Sequence, residues 1–176
     1  PGVINLVTGA DADIGDALVD DARTRFVNFT GSVATGLRIN ERAAKVNPGQ
    51  KWLKRVFLEM GGKDALIVDE TADPAMAAAA AVASGFGFQG QKCSAMSRLI
   101  VVKDVYDEVL ERVLDLTSKL SVGPAEENHD VGAVINERQY DKILGYIEAG
   151  KLEARLAAGG GKATAAGPGW FIEPTV

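Results

Sequence analysis

The sequence predicts an α/β fold assembled from parallel strand–helix–strand units. Two observations carry this. Short β-branched runs such as "RFVNFTG" and "DALIV" alternate with stretches of helical spacing. Glycine, proline or aspartate punctuates most of these segments, as loops between a strand and a crossover helix require.

The elements follow in order. "VINLVTG", between Pro-Gly and Gly, predicts a strand, and "DIGDALVDDA" a helix through the spacing of Ile14, Ala17 and Leu18. "RFVNFTG" is a second strand, and "SVATGLRINERAAKV" a helix opened by glycines. "LKRVFLEMGG" and "KDALIVDE" add two more strands. Asp73 before Pro74 predicts an N-cap with proline at the first helical position, opening an alanine-rich helix that stops near Gly90. "RLIVV" is a buried strand, and "DVYDEVLERVLDLTSKL" a helix with Val105, Val109, Val113 and Leu116 on one face. Asn136 and Gln139, in capping-box spacing, open a helix expected to end at Gly150. "GGGKATAAGPG" reads as a surface loop and "WFIEPTV" as a final strand.

Composition narrows the function classes. With 47% hydrophobic and 24% charged residues among 176, the chain has the make-up of a globular protein. A net charge of −5 argues against nucleic acid as a partner. A single cysteine fits a reducing compartment, hence a cytoplasmic setting, or the mitochondrial matrix in a eukaryote. "AMAAAAAVA" is too short to span a bilayer, and no signal-peptide pattern opens the chain. The start at Pro1 and the stop at "EPTV" lead us to expect an internal piece of a longer protein.

Three stretches carry chemistry. In "GFQGQKCSAMS", Cys93 follows Gly87 and Gly90, which let backbone approach closely, and Lys92 beside it favours a thiolate. Helix N-terminal N–H groups near Cys93 are expected to act in the same sense. A quiet core thiol is the alternative, since free cysteine packs as a small hydrophobe. His129, in "EENHDVG", reads as a solvated surface residue, so neither a Cys–His dyad nor a metal site is expected. In "FTGSVATG", Gly31, Ser32 and Gly36 join a strand to a helix, where N–H groups can meet a phosphate; turn geometry alone also calls for glycine there. In "LEMGGK", Glu59 closes an apolar strand where α/β sheets place ligands, as a base for water or as a solvated strand end.

Taken together, in this order and with Cys93 34 residues beyond Glu59 (93 − 59), these stretches resemble the aldehyde dehydrogenase superfamily. "PGVINLVTG", "SVGPAEENHDVGAVI" and "YIEAG…GG…WFIEPTV" extend the resemblance from Pro1 to Val176. It implies that residues 1–61 are the second half of a Rossmann-like NAD-binding domain and residues 62–176 the first half of the catalytic domain. It implies Cys93 as the nucleophile, passing through a thiohemiacetal and a thioester, and Glu59 as the base that activates the hydrolytic water. Gly31, Ser32 and Gly36 would lie by the cofactor pyrophosphate, the Met60 backbone by the nicotinamide amide, and Gly61 and Gly62 would leave room for the ring.

Within the family, Lys92 and Ser94 in "GFQGQKCSAMSRLIV" are similar to the branch that oxidises L-glutamate γ-semialdehyde, formed from 1-pyrroline-5-carboxylate in proline degradation. Both would act on the substrate carboxylate; Ser94 as a mere space-filler is the alternative, as is another semialdehyde as substrate. NAD is the expected cofactor, with NADP open. A small-molecule aldehyde is the expected partner, with no nucleic acid or membrane, and the full-length form is expected to be a homo-oligomer. The family's oxyanion-hole asparagine and adenosine-ribose residues would precede Pro1, and its nicotinamide-ribose segment would follow Val176. A non-catalytic fragment is therefore the competing expectation for the chain by itself.

Overall fold

The computed structural model describes residues 2–9 and 11–176. It resolves into two compact units, Pro1–Gly62 and Lys63–Val176.

The first unit contains helix α1 (Asp11–Asp20), strand β1 (Phe26–Gly31), helix α2 (Val33–Ala43) and strand β2 (Arg55–Met60). β1 and β2 pair in parallel from Phe26↔Arg55 to Gly31↔Met60, with α2 as the crossover. This is the expected strand–helix–strand unit. Alternate residues of both strands are half-buried: Val27 and Phe29 on β1, and Val56, Leu58 and Met60 on β2. α2 must lie close to β2, and Gly36 allows it: a Cβ there would come within 2.6 Å of Met60 Sδ. Charge ties α1 to α2. Arg38 pairs with Asp16, and Arg42 pairs with Asp20 and, at 3.4 Å, with Asp16. Lys54 donates to the carbonyls of Val19 and Asp21, placing a cation at the C-terminal end of the α1 dipole.

Two expectations change in this unit. Residues 3–9 form no strand; Val3, Ile4 and Leu6 are almost fully exposed and join no ladder among the described residues. Their β-propensity measures fitness for a pleated surface and goes unused without a neighbouring strand. Among the described side chains of α1 the buried one is Val19, while Ala17 and Leu18 face outward.

The second unit repeats the motif. Strand β3 (Asp64–Val68), helix α3 (Pro74–Phe86) and strand β4 (Met96–Val101) form a second parallel pair, from Asp64↔Met96 to Val68↔Val101. Helix α4 (Lys103–Ser118) packs on α3. Ala77, Ala78, Ala81 and Val82 of α3 meet Val68, Val109 and Val113 in one continuous apolar cluster, with Val105 and Leu116 at its margin as the spacing predicted. Small side chains let the two helix backbones approach, and Val109 is wholly buried. Asp73 caps α3 as expected, its carboxylate accepting from the N–H groups of Ala75 and Met76.

Helix α5 (Glu137–Glu153) starts at the Asn136 cap but runs past Gly150. Ala154 N–H bonds to the Gly150 carbonyl, so glycine there costs propensity without ending the helix. "WFIEPTV" forms no named strand. An isolated antiparallel bridge, Lys162↔Ile172, marks it, together with bonds between Val176 and residues 157–158 and from Val134 N–H to the Trp170 carbonyl. α3 proper stops at Phe86, four residues before the expected Gly90, and a 3₁₀ segment, Gly87–Gly90, follows.

Candidate active site

In the first unit the predicted residues gather at the carboxyl end of the parallel pair. The register sets Glu59 opposite Thr30 and Met60 opposite Gly31, and Ser32 follows directly as the N-cap of α2. Ser32 Oγ accepts from Thr35 N–H and lies 2.9 Å from Thr35 Oγ1. No acidic residue stands in the first turn of α2, and Gly31 through Ala34 are exposed. The positive end of the helix therefore meets solvent uncompensated, an arrangement suited to an anion. Glu59 is exposed at the end of β2. Gly61 is open, with nothing within 4 Å of an added Cβ. Gly36 differs from its neighbours: it is buried beneath Met60, and its lack of a side chain serves helix–strand packing.

In the second unit Cys93 sits at the centre of a turn closed by Ala95 N–H to the Lys92 carbonyl, 3.1 Å. Lys92, Cys93 and Ser94 are all exposed, whereas Ala95 is buried and anchors the turn to the core. Met96 N–H donates to Ser84 Oγ, fixing the start of β4 to α3. The expected helix N-terminus at Cys93 is absent: the turn follows the C-terminal end of α3 and its 3₁₀ extension. Lys92 is the positive charge adjacent to Cys93 in the chain.

The approach to this turn has a backbone that the sequence did not announce. Phe88, Gln89 and Gly90 are consecutive left-handed residues, with φ of 55°, 58° and 66°. Phe88 and Gln89 each carry a cost of about 1–3 kcal/mol there. Gly90 is required twice over, since a Cβ would also lie 2.7 Å from the Gly85 carbonyl oxygen. Gln89 donates through Nε2 to the Ala133 carbonyl at 3.3 Å and accepts from Gln91 Nε2.

His129 is less solvated than expected. Its ring lies on Gly123, where a Cβ would be 2.3 Å from Cδ2, and Nε2 meets Glu127 Oε2 at 3.2 Å. Nearby, backbone and hydroxyl donation from Ser121 holds the Asp130 carboxyl below the usual carboxylate range. No cluster of metal-ligating side chains occurs among the described residues. No helix among them is long and apolar enough to cross a membrane.

Comparison with known proteins converges on one family. The model of the aldehyde dehydrogenase family matches residues 1–176. The 1-pyrroline-5-carboxylate dehydrogenase of Geobacillus kaustophilus is 58% identical over 176 residues, covering 99% of this chain and 34% of the relative. That of Staphylococcus saprophyticus is 58% identical over 175 residues, with the same coverage. Among solved structures, a Thermus 1-pyrroline-5-carboxylate dehydrogenase with bound NAD superposes with a TM-score of 0.93 at 54% identity, covering 99% of this chain and 34% of that one. The Mycobacterium tuberculosis Δ-pyrroline-5-carboxylate dehydrogenase gives 0.88 at 32% identity, covering 99% of this chain and 33% of that one. The chain thus spans about a third of the length of the relatives it matches.

Proposed function

Because the chain belongs to the aldehyde dehydrogenase family, we propose that the whole protein carrying it oxidises L-glutamate γ-semialdehyde to L-glutamate with NAD, as a cytoplasmic enzyme of proline degradation. The observation that carries this is Cys93: cysteine is among the residues most often buried, and here the thiol is exposed at the centre of a turn between Lys92 and Ser94. The names of relatives at 58% identity support the substrate, and the NAD-bound Thermus structure supports the cofactor. The two units are read as parts of an NAD-binding domain, up to residue 61, and of a catalytic domain from residue 62.

The residues of the first unit fit a dinucleotide. Gly31 and Ser32 lie at an exposed helix N-terminus with no acidic residue in its first turn, suited to a pyrophosphate. The Met60 backbone and the open space at Gly61, with Gly62 beside it, suit the nicotinamide end. Gly36 serves the cofactor indirectly, by letting α2 lie close to β2. When bound, NAD supplies the hydride acceptor.

The remaining chemistry belongs to side chains of this chain. The Cys93 thiolate adds to the aldehyde carbon and forms a thiohemiacetal; loss of hydride leaves a thioester on Sγ. Glu59 takes a proton from water, which attacks the thioester carbonyl and expels the Cys93 thiolate, releasing the carboxylic acid. Lys92 provides positive potential and Ser94 a hydroxyl donor toward the substrate α-carboxylate.

The test uses the whole protein. Cys93→Ala should abolish turnover while retaining NAD affinity. Glu59→Gln should give a burst of reduced cofactor and an acyl adduct on Cys93 visible by mass. Turnover surviving in Cys93→Ala would overturn the nucleophile assignment. An unchanged steady-state rate in Glu59→Gln would return that residue to a structural role.

A further inference from the structure

We propose that Gln89 is a positioning residue for Cys93: its side-chain amide holds the left-handed turn that presents the thiol. The proposal rests on the reading of Cys93 as the nucleophile.

Three left-handed residues in succession persist only when their surroundings over-determine them. Phe88 adds little to that hold, since the residue is 75% exposed. Gly90 needs no hold, being at ease at positive φ. Gln89 is half-buried, and both ends of its amide are engaged. Oε1 accepts from Gln91, two residues before the cysteine, and Nε2 donates to the Ala133 carbonyl.

That carbonyl belongs to a segment which is itself fastened. Val134 N–H donates to the Trp170 carbonyl at 2.8 Å, and the Trp170 ring lies 5.4 Å from the ring of buried Tyr140. Gly123 N–H bonds to Val131 on the other side. The other bonds of residues 87–95 run locally, within residues 83–96, and Met96 after them joins the β3–β4 ladder opposite Asp64. Gln89 alone among the described residues ties that turn to a distant, fastened segment by a side-chain bond. Gly132 provides a second handle, because a Cβ there would lie 3.1 Å from Gln89 Nε2 and crowd the amide off its acceptor.

The experiment compares Gln89→Gly, Gly132→Ala, the double variant and Cys93→Ala in the whole protein. Glycine accepts the left-handed backbone, so Gln89→Gly removes the tether without adding strain. Its melting temperature should not fall, NAD affinity should stay unchanged, and kcat should drop about 10- to 100-fold through misplacement of the thiol. Gly132→Ala should lower kcat about threefold, as for a weakened hydrogen bond. The double variant should be no worse than Gln89→Gly, because both changes act on one bond. A Gln89→Gly kcat within about twofold of wild type, a parallel fall in melting temperature, or losses that multiply in the double variant would each overturn the proposal. Turnover in Cys93→Ala would overturn the nucleophile reading and this proposal with it. An inactive Cys93→Ala beside an unaffected Gln89→Gly would overturn the positioning role alone.

Discussion

The two units build the same strand–helix–strand motif and hold it by different means. In the first, α1 and α2 are laced by Arg38, Arg42, Asp16 and Asp20, with Lys54 reaching in to the end of α1. Buried apolar side chains are few there: Val19 and Ala43 among the described residues. In the second, α3 and α4 close on Ala78, Ala81, Val109 and Val113, and its charged contacts lie at the exposed surface. One unit is thus joined by directional contacts that water and salt can compete for, the other by excluded water. The residues proposed for the cofactor lie in the first, and Cys93, proposed as the nucleophile, lies in the second.

The strongest way to break this comparison is a charge in the apolar cluster. Val109→Asp should cost several kcal/mol, above about 4, and abolish cooperative melting of the second unit. Amide exchange would follow each unit separately, and protection of β1 and β2 should persist. Val109→Ala, which only opens a cavity, should cost about 1.5–3 kcal/mol in urea unfolding.

In the first unit the sensitive point is the helix–strand approach. Gly36→Ala should cost about 1–3 kcal/mol, because Met60 Sδ must move. Met60→Ala added to it should recover part of that loss, which denaturation of the double variant would reveal. Additive losses would show that Gly36 is required for another reason.

A smaller effect separates the units by salt. Arg38→Ala should destabilise the first unit only slightly, and less in 1 M salt. The acid response sharpens this. The Arg38 guanidinium holds Asp16 below the usual carboxylate range, and Arg23 holds Asp21 well below it. In the second unit the Thr71 hydroxyl does so for Asp69, and Ser121 for Asp130. All four are depressed, so their stabilisation is complete above the unfolded value of about 3.9 and fades as pH falls through the folded values. High salt should move Asp16 and Asp21 upward and leave Asp69 and Asp130 nearly in place. Carboxyl-carbon NMR titration would show it, and equal shifts in all four would remove the distinction.

Local signals were legible in the sequence, and contacts across the chain were not. The Asp73–Pro74 cap, the Asn136 cap and the α4 stripe are written within one or two turns of chain, and the structure has each of them. "VINLVTG" and "WFIEPTV" have strand composition, but a strand is a property of a pair, and no ladder forms for either among the described residues. Open space at Gly61 was implied by the family resemblance, while Gly36 concealed a packing role that only the neighbouring Met60 explains. The left-handed turn was the least legible feature. Phe88 and Gln89 are not residues that choose positive φ, and the bond to Ala133 spans 44 positions (133 − 89).

The parallel pairing of the strands has a consequence for the birth of the molecule. Phe26 meets Arg55 and Asp64 meets Met96, separations of 29 (55 − 26) and 32 (96 − 64) positions. On the ribosome, at about 5–20 residues per second, each first strand waits roughly 1.5–6 s before its partner has been synthesised. During that interval β1 and β3 lack the partner they have here, and the crossover must be closed before either ladder forms. Alanine-rich α3 suits that order of events, since its sequence favours helix before any partner arrives. The first unit has no comparable helix former in α2, which carries Gly36, Val33 and Thr35. Its nascent β1 therefore waits beside a crossover that forms less readily by itself.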